Sequence, residues 1–129
     1  MTKKIGKITK PGDANILPWE EDTAQSLALA GHYVEFIRKS NRDRETSADA
    51  YVDGEKWEFK ATNGSSMKLV QRNLRNAAKQ SDSVVFDSRR IHRIPDKAII
   101  RELAARLPHI NGLRHIKFVN RRGKVIDIK

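Results

Sequence analysis

The sequence predicts an α/β fold, a mixed central sheet with flanking helices, and three observations lead there. Apolar residues recur at helical spacing in three separate windows, short alternating or wholly apolar runs lie between them, and two pairs of runs are joined by tight turns at Asp53-Gly54 and Asn120-Arg-Arg-Gly123. The resulting order is helix, strand, hairpin, helix, strand, helix, hairpin, with the first hairpin in the centre of the sheet.

A chain of 129 residues suits one domain and can bury an adequate core without staples. Residues 17–129 are read as that domain. Residues 1–16, with Lys3, Lys4, Lys7, Lys10 and Pro11-Gly12, are read as a flexible or loosely docked basic arm or a linker. There is no cysteine, which excludes thiol catalysis, Cys-ligated zinc and disulfides. No apolar run is long enough to span a bilayer and the polar start lacks a leader's apolar region, so no membrane insertion by this domain is expected. Lys and Arg total 26 against 16 Asp and Glu, a formal charge of +10, and the cations cluster, which points to a polyanionic partner, nucleic acid first.

The first helix is placed from Pro18-Trp19 to Gly31, with Glu20, Glu21 and Asp22 in the first turn, where negative charge is favoured. Ala24, Leu27 and Ala28 mark its buried face; Glu20 projects onto that face and Glu21 lies at its edge. His32 to Arg38 alternates as a strand, and Lys39 to Thr46 is a charged loop. After the central hairpin, Ser65 or Ser66 offers an N-cap to a helix running to about Gln80. Its apolar stripe is Met67, Val70, Leu74, Ala77 and Ala78. Lys68, Arg72, Arg75 and Lys79 form a second, wholly basic stripe that reads as a track for backbone phosphates. Gln71 and Gln80 lie beside it as candidate hydrogen-bonding groups. Ser83 to Asp87 is a buried strand, followed by a basic loop with Arg89, Arg90, His92 and Arg93. Pro95 opens a helix with Ile99, Ile100, Leu103, Ala104 and Leu107 inward, closed by Pro108, and the second hairpin follows over Leu113 to Ile128.

The chemistry concentrates in Ser47-Ala-Asp49-Ala-Tyr-Val-Asp53-Gly54-Glu-Lys-Trp-Glu58-Phe-Lys60. A two-residue type I′ turn at Asp53-Gly54 pairs Val52 with Glu55, Ala50 with Trp57 and Asp49 with Glu58. Alternation then puts Ala50, Val52, Trp57 and Phe59 on one face and Ser47, Asp49, Glu58 and Lys60 on the other. Facing carboxylates repel unless a cation lies between them, and their hard oxygens suit Mg²⁺, Mn²⁺ or Ca²⁺. The competing reading is a surface hairpin with solvated charges.

An Asp on one strand, a Glu-x-Lys on the next, an acid on the preceding helix and a helix afterwards resemble the PD-(D/E)xK nuclease superfamily, with Ala48 where its name has proline. The runs Thr-Ala-Gln-Ser-Leu-Ala-Leu-Ala-Gly-His-Tyr-Val-Glu-Phe, Ala-Asp-Ala-Tyr-Val-Asp-Gly-Glu-Lys-Trp-Glu-Phe-Lys and Ala-Ala-Lys-Gln-Ser-Asp-Ser-Val-Val-Phe-Asp resemble the C-terminal tRNA nuclease domains of contact-dependent growth inhibition toxins. The resemblance spans about residues 18–128. It implies a restriction-endonuclease-like core and a nuclease domain exported as part of a toxin and acting in the target-cell cytoplasm, or a cytoplasmic enzyme if the gene stands alone. It further implies a cognate immunity protein, tRNA as the favoured substrate with DNA as the alternative, and a divalent metal, Mg²⁺ first, then Mn²⁺ or Zn²⁺. By the same resemblance Asp49 and Glu58 would hold the metal, Lys60 would position or activate water, and the helix acid would be Glu20 or Glu21. Lys68, Arg72, Arg75, Lys79, Arg89, Arg90 and Arg93 would hold flanking phosphates. The few aromatics, several needed in the core, suggest recognition by folded shape and phosphates.

Overall fold

The computed structural model describes residues 5–12, 15–37 and 50–128. The elements are β1 (Ile8–Thr9), α1 (Pro18–Leu29), β2 (Val34–Phe36), β3 (Ala50–Val52), β4 (Glu55–Lys60), α2 (Met67–Ala78), β5 (Ser83–Asp87), α3 (Asp96–Arg106), a 3₁₀ turn (Leu107–His109), β6 (His115–Val119) and β7 (Val125–Asp127). They build one mixed seven-stranded sheet in the order β1-β2-β3-β4-β5-β6-β7.

Strand directions follow from the pairings. β1 runs parallel to β2, β3 is antiparallel to both β2 and β4, and β4, β5 and β6 are mutually parallel, with β7 returning antiparallel. Five strands therefore share one direction. The helices that connect them run back the other way, so α1, α2 and α3 all begin at the carboxyl edge of those strands.

Alternation splits the core into two layers. Ala24 and Leu27 of α1 pack with Val34, Phe36, Ala50, Val52, Trp57, Phe59, Val85 and Val119. Val70, Leu74 and Ala77 of α2 and Ile99 and Leu103 of α3 pack with Val84, Phe86, Ile116 and Phe118 on the opposite face. β5 is buried along its whole length because both of its faces are covered.

Three expectations change. The stretch read as a basic arm is docked where it is described: Ile8 and Thr9 pair with Val34 and Glu35, and the Gly6 amide donates to the Ala28 carbonyl at 2.7 Å. A Cβ at Gly6 would collide with the His32 carbonyl, so the close approach needs glycine. Ala104, read as inward, is exposed, because the buried row runs through Ile99, Leu103 and Leu107 at four-residue spacing and leaves Ala104 on its flank. The strand expected over His32 to Arg38 is confined to Val34–Phe36, and the loop Lys39 to Thr46 lies outside the described residues.

The central hairpin has the expected register, with Ala50, Tyr51 and Val52 opposite Trp57, Lys56 and Glu55. Asp53 and Gly54 have φ of 51° and 86°, the two positive values that a type I′ turn requires. Asp53 adds a clamp: its amide donates to the Tyr33 carbonyl at 2.8 Å, its Oδ1 accepts from the Tyr33 amide at 2.9 Å, and its Oδ2 lies 2.6 Å from His32 Nδ1. Burial pushes the Asp53 carboxyl up, but the Tyr33 amide, the His32 hydrogen bond and the charges of His32 and Lys117 outweigh it and hold the pKa below the usual range. A depressed folded pKa stabilises above the unfolded value of about 3.9 and stops doing so as pH falls through the folded one. Asp53→Asn, which tolerates positive φ, should therefore cost under about 1 kcal/mol at pH 7, given the half-exposed carboxylate. In urea titrations the gap between the variant and the parent should close below about pH 3.9.

Candidate active site

In open α/β sheets, ligands bind beyond the carboxyl ends of the parallel strands. That edge of this sheet gathers the start of α1, the end of β4, the loop after β5 and the β6–β7 turn. The Glu-x-Lys of the sequence lies there, at the end of the fourth of seven strands.

Glu58 and Lys60 pair with Val84 and Phe86, so their side chains stand on the face that α2 covers. Glu58 is 7 % exposed, which overturns the solvated surface hairpin as far as this residue is concerned. Its Oε2 lies 3.7 Å from Lys60 Nζ, whose side chain is partly open to solvent. Two residues further along the same face, the buried Thr62 hydroxyl accepts from Asn73 Nδ2 of α2 at 2.7 Å and ties the helix to the end of β4. Asp49 and Ser47 lie outside the described residues, and among the described residues no three His, Cys, Asp or Glu side chains form a metal-holding group. Glu58 by itself fits a hard cation, as a buried oxygen donor.

The two helix acids separate clearly. Glu20 is 3 % exposed, and its Oε1 accepts from the Leu17 amide at 3.0 Å, half of a capping box whose other half Leu17 cannot supply. Glu21 turns outward and pairs with Lys10. Glu20 is thus the inward acid at the edge, as the helical count favoured.

A polar cluster that the sequence did not reveal locks this edge. Asp87, at the end of β5, is 3 % exposed; it accepts from the Thr23 hydroxyl of α1 at 2.6 Å and takes the Arg89 guanidinium in a fork, with Nε and Nη2 at 3.0 and 2.6 Å. The Arg89 amide caps the same carboxylate at 3.0 Å. The Asp87 hydrogen bond raises the Arg89 pKa further, and the nearby Asp22 charge adds to it. Arg89, expected on phosphates, serves first as the counter-ion of a buried acid. The apolar run from Ser83 to Asp87 showed the strand but gave no signal that its terminal acid faces α1.

The other expected cations divide as well. Lys68, Arg72, Arg75 and Lys79 are exposed and make no ion pair among the described residues. They crown α2, opposite its buried row Val70, Leu74 and Ala77, and therefore stand about a helix diameter, ~10 Å, above the sheet instead of beside Glu58. The flank of α2 that Asn73 turns toward β4 carries Asn76 and Gln80, while Gln71, expected to be available to a ligand, donates to Glu102 of α3 at 2.6 Å. Arg90 and Arg93 lie in the loop at the carboxyl edge, and His92 is exposed beside them, its amide bonded to the Gly64 carbonyl at 2.8 Å.

Together these features define an α/β domain with a buried acid-lysine pair at the carboxyl edge of a mixed sheet, overlooked by a basic helix. The chain belongs to the contact-dependent growth inhibition CdiA C-terminal domain family, which it matches over residues 46–125. Its fold is similar to that in the structure described as "CdiA-CT/CdiI toxin and immunity complex from Burkholderia pseudomallei", with a TM-score of 0.73 at 17 % identity over 96 % of this chain and 99 % of the other. No curated protein matches its sequence. Among the described residues, no helix is long and apolar enough to cross a membrane.

The Asp87 fork yields a stability test. Arg89→Ala leaves a buried carboxylate without its cation and should cost about 3 kcal/mol or more in urea denaturation, whereas Arg90→Ala should stay within about 0.5 kcal/mol. Adding Asp87→Asn to Arg89→Ala should recover part of the loss.

Proposed function

We propose that this domain is a metal-dependent nuclease of the PD-(D/E)xK kind, the toxic part of a contact-dependent growth inhibition system, with tRNA as its substrate. The observation that carries the reading is the Glu58 carboxylate, 7 % exposed in the middle of the sheet with Lys60 Nζ 3.7 Å away. A buried acid in that position costs stability unless it serves a ligand or a partner charge.

Hairpin counting puts Asp49 opposite Glu58, and these two would hold the ion, Mg²⁺ first with Mn²⁺ or Zn²⁺ as alternatives. A bound divalent ion supplies Lewis acidity toward a phosphate and a more acidic water. Lys60 places the positive charge of its Nζ beside the scissile phosphate, where negative charge grows in the transition state. Glu20, buried at the start of α1, would be the supporting acid, reaching the edge from the helix that covers the opposite face of the sheet from Glu58. The crest of α2 holds backbone phosphates one helix diameter away, which suits a wide folded nucleic acid better than a single extended strand. The family supports delivery into a target cell, and the similar structure, by its title a toxin and immunity complex, supports a cognate immunity protein as partner.

Incubation with tRNA and with plasmid DNA, each with Mg²⁺, Mn²⁺, Zn²⁺ or chelator, tests the reading. RNA should be cut only with metal. Asp49→Ala and Glu58→Gln should each lower the rate by on the order of 10²–10⁴ while leaving RNA affinity intact. Undiminished cleavage by either variant would sink the site, and cleavage of DNA alone would move the substrate. Replacing Lys68, Arg72, Arg75 and Lys79 together by Ala should weaken binding uniformly across sequences and flatten its salt dependence by about one unit of slope per lost phosphate contact. Cells expressing the domain alone should stop growing, and co-expression of the neighbouring immunity gene should rescue them.

A further inference from the structure

The face of the sheet that carries Glu58 does not end at β4. Through the register it continues over Lys56, Tyr51, Glu35 and Thr9, and unlike its covered half over β5 this part is open: Thr9, Glu35 and Lys56 are exposed and Tyr51 is half-buried. Tyr33 stands on the same side and is 51 % exposed. Lys7, Thr9, Tyr33, Glu35 and Tyr51 line an open hollow of about 340 Å³, at the small end of the ~300–1,000 Å³ range of ligand clefts.

The aromatic residues are distributed unevenly between core and surface. All four phenylalanines are buried, as is Trp57, whereas the chain's two tyrosines both line this hollow. Their backbones, not their rings, make the sheet and the Asp53 clamp. Lys56 Nζ stands 6.0 Å from the centre of the Tyr51 ring, and Lys7 borders the hollow on the far side. Exposed aromatic rings interleaved with cations on an open sheet are the pattern that binds unpaired nucleotides, with ring stacking on bases and lysines on the flanking phosphates. Val34, the only aliphatic side chain lining the hollow, is buried, so the rings and the lysines are what it presents.

We infer that the open face of β1 to β3 is a docking floor for an unpaired nucleotide of the RNA substrate, stacked on Tyr33 or Tyr51. The row Lys56, Glu58, Lys60 leads from that floor to the proposed cleavage site. This inference rests on the nuclease reading and adds a class to it: an RNA with at least one unstacked base near the cut, held on one side by the floor and on the other by the crest of α2. Recognition then rests on more than shape and phosphates.

The test is equilibrium binding to the Glu58→Gln protein of an RNA stem-loop carrying 2-aminopurine in its unpaired loop, with a fully paired duplex as comparator. Stem-loop binding should change the probe's fluorescence. Tyr33→Ala and Tyr51→Ala should each weaken it by on the order of tenfold, the corresponding Phe variants should restore it, and duplex binding should hold steady. Matched thermal melts of each variant keep a folding defect from passing as a binding one. Equal losses for stem-loop and duplex would overturn the inference, and so would alanine variants that bind both RNAs like the parent, including variants that lose affinity only for an inhibitory protein. Cleavage of tRNA by the wild type is read separately. Cleavage with binding indifferent to the tyrosines removes the floor and keeps the nuclease; absent cleavage with tyrosine-dependent binding does the reverse.

Discussion

The structure depends on the register of one hairpin. Because strand side chains alternate with a period of two, a slip of one residue between β3 and β4 would send Trp57 and Phe59 to the α2 face and Glu58 and Lys60 into the layer beneath α1. The Asp53-Gly54 turn prevents this twice over. Its positive φ values fix a two-residue loop, and the Asp53 side chain is anchored to His32 and Tyr33 just before β2. A residue chosen for its turn geometry thus also fixes where the acid-lysine pair points.

The second anchor is Asp87. A strand buried on both faces has no room for an uncompensated charge at its end, so the carboxylate draws in Thr23 from α1 and Arg89 from the following loop. Two segments 64 residues apart in sequence are thereby tied to one point. The helix bearing Glu20 is held to the centre of the sheet by this contact and by its packing beneath β2, and Gly123 of the β6–β7 turn lies close enough to Arg89 Nη1 and Ser26 Oγ that an added Cβ would stand 3.3 Å from each.

Much of the fold could be read from the chain because its signals are local. The hairpin, the three helical stripes and the apolar run at Ser83 each rest on residues within a few positions of one another. What the chain could not show is long-range. Nothing in residues 5–12 marks them as an edge strand, since two residues of pairing need only a suitable neighbour, here β2. The role of Arg89 depends on the direction in which Asp87 points, and that is set by both layers of the core. The basic stripe on α2 was visible, but its height above Glu58 was not, because a helical wheel gives the angle of a side chain and not the position of the sheet. Glu58 was found by its spacing from Lys60; its burial came only from the placement of α2.

All three helices begin at the same edge of the sheet, and this has an electrostatic consequence that involves no lysine or arginine. Each helix start exposes amide groups and carries about half a positive charge. Three such ends facing one rim give a standing potential that attracts phosphate and that neither titration nor substitution of basic side chains can remove. Glu20 at the start of α1 and Asp96 at the start of α3 moderate it locally. The first turn of α2 contains no acid, so the field is least opposed beside the end of β4. The backbone itself therefore makes the rim beside Lys60 positive.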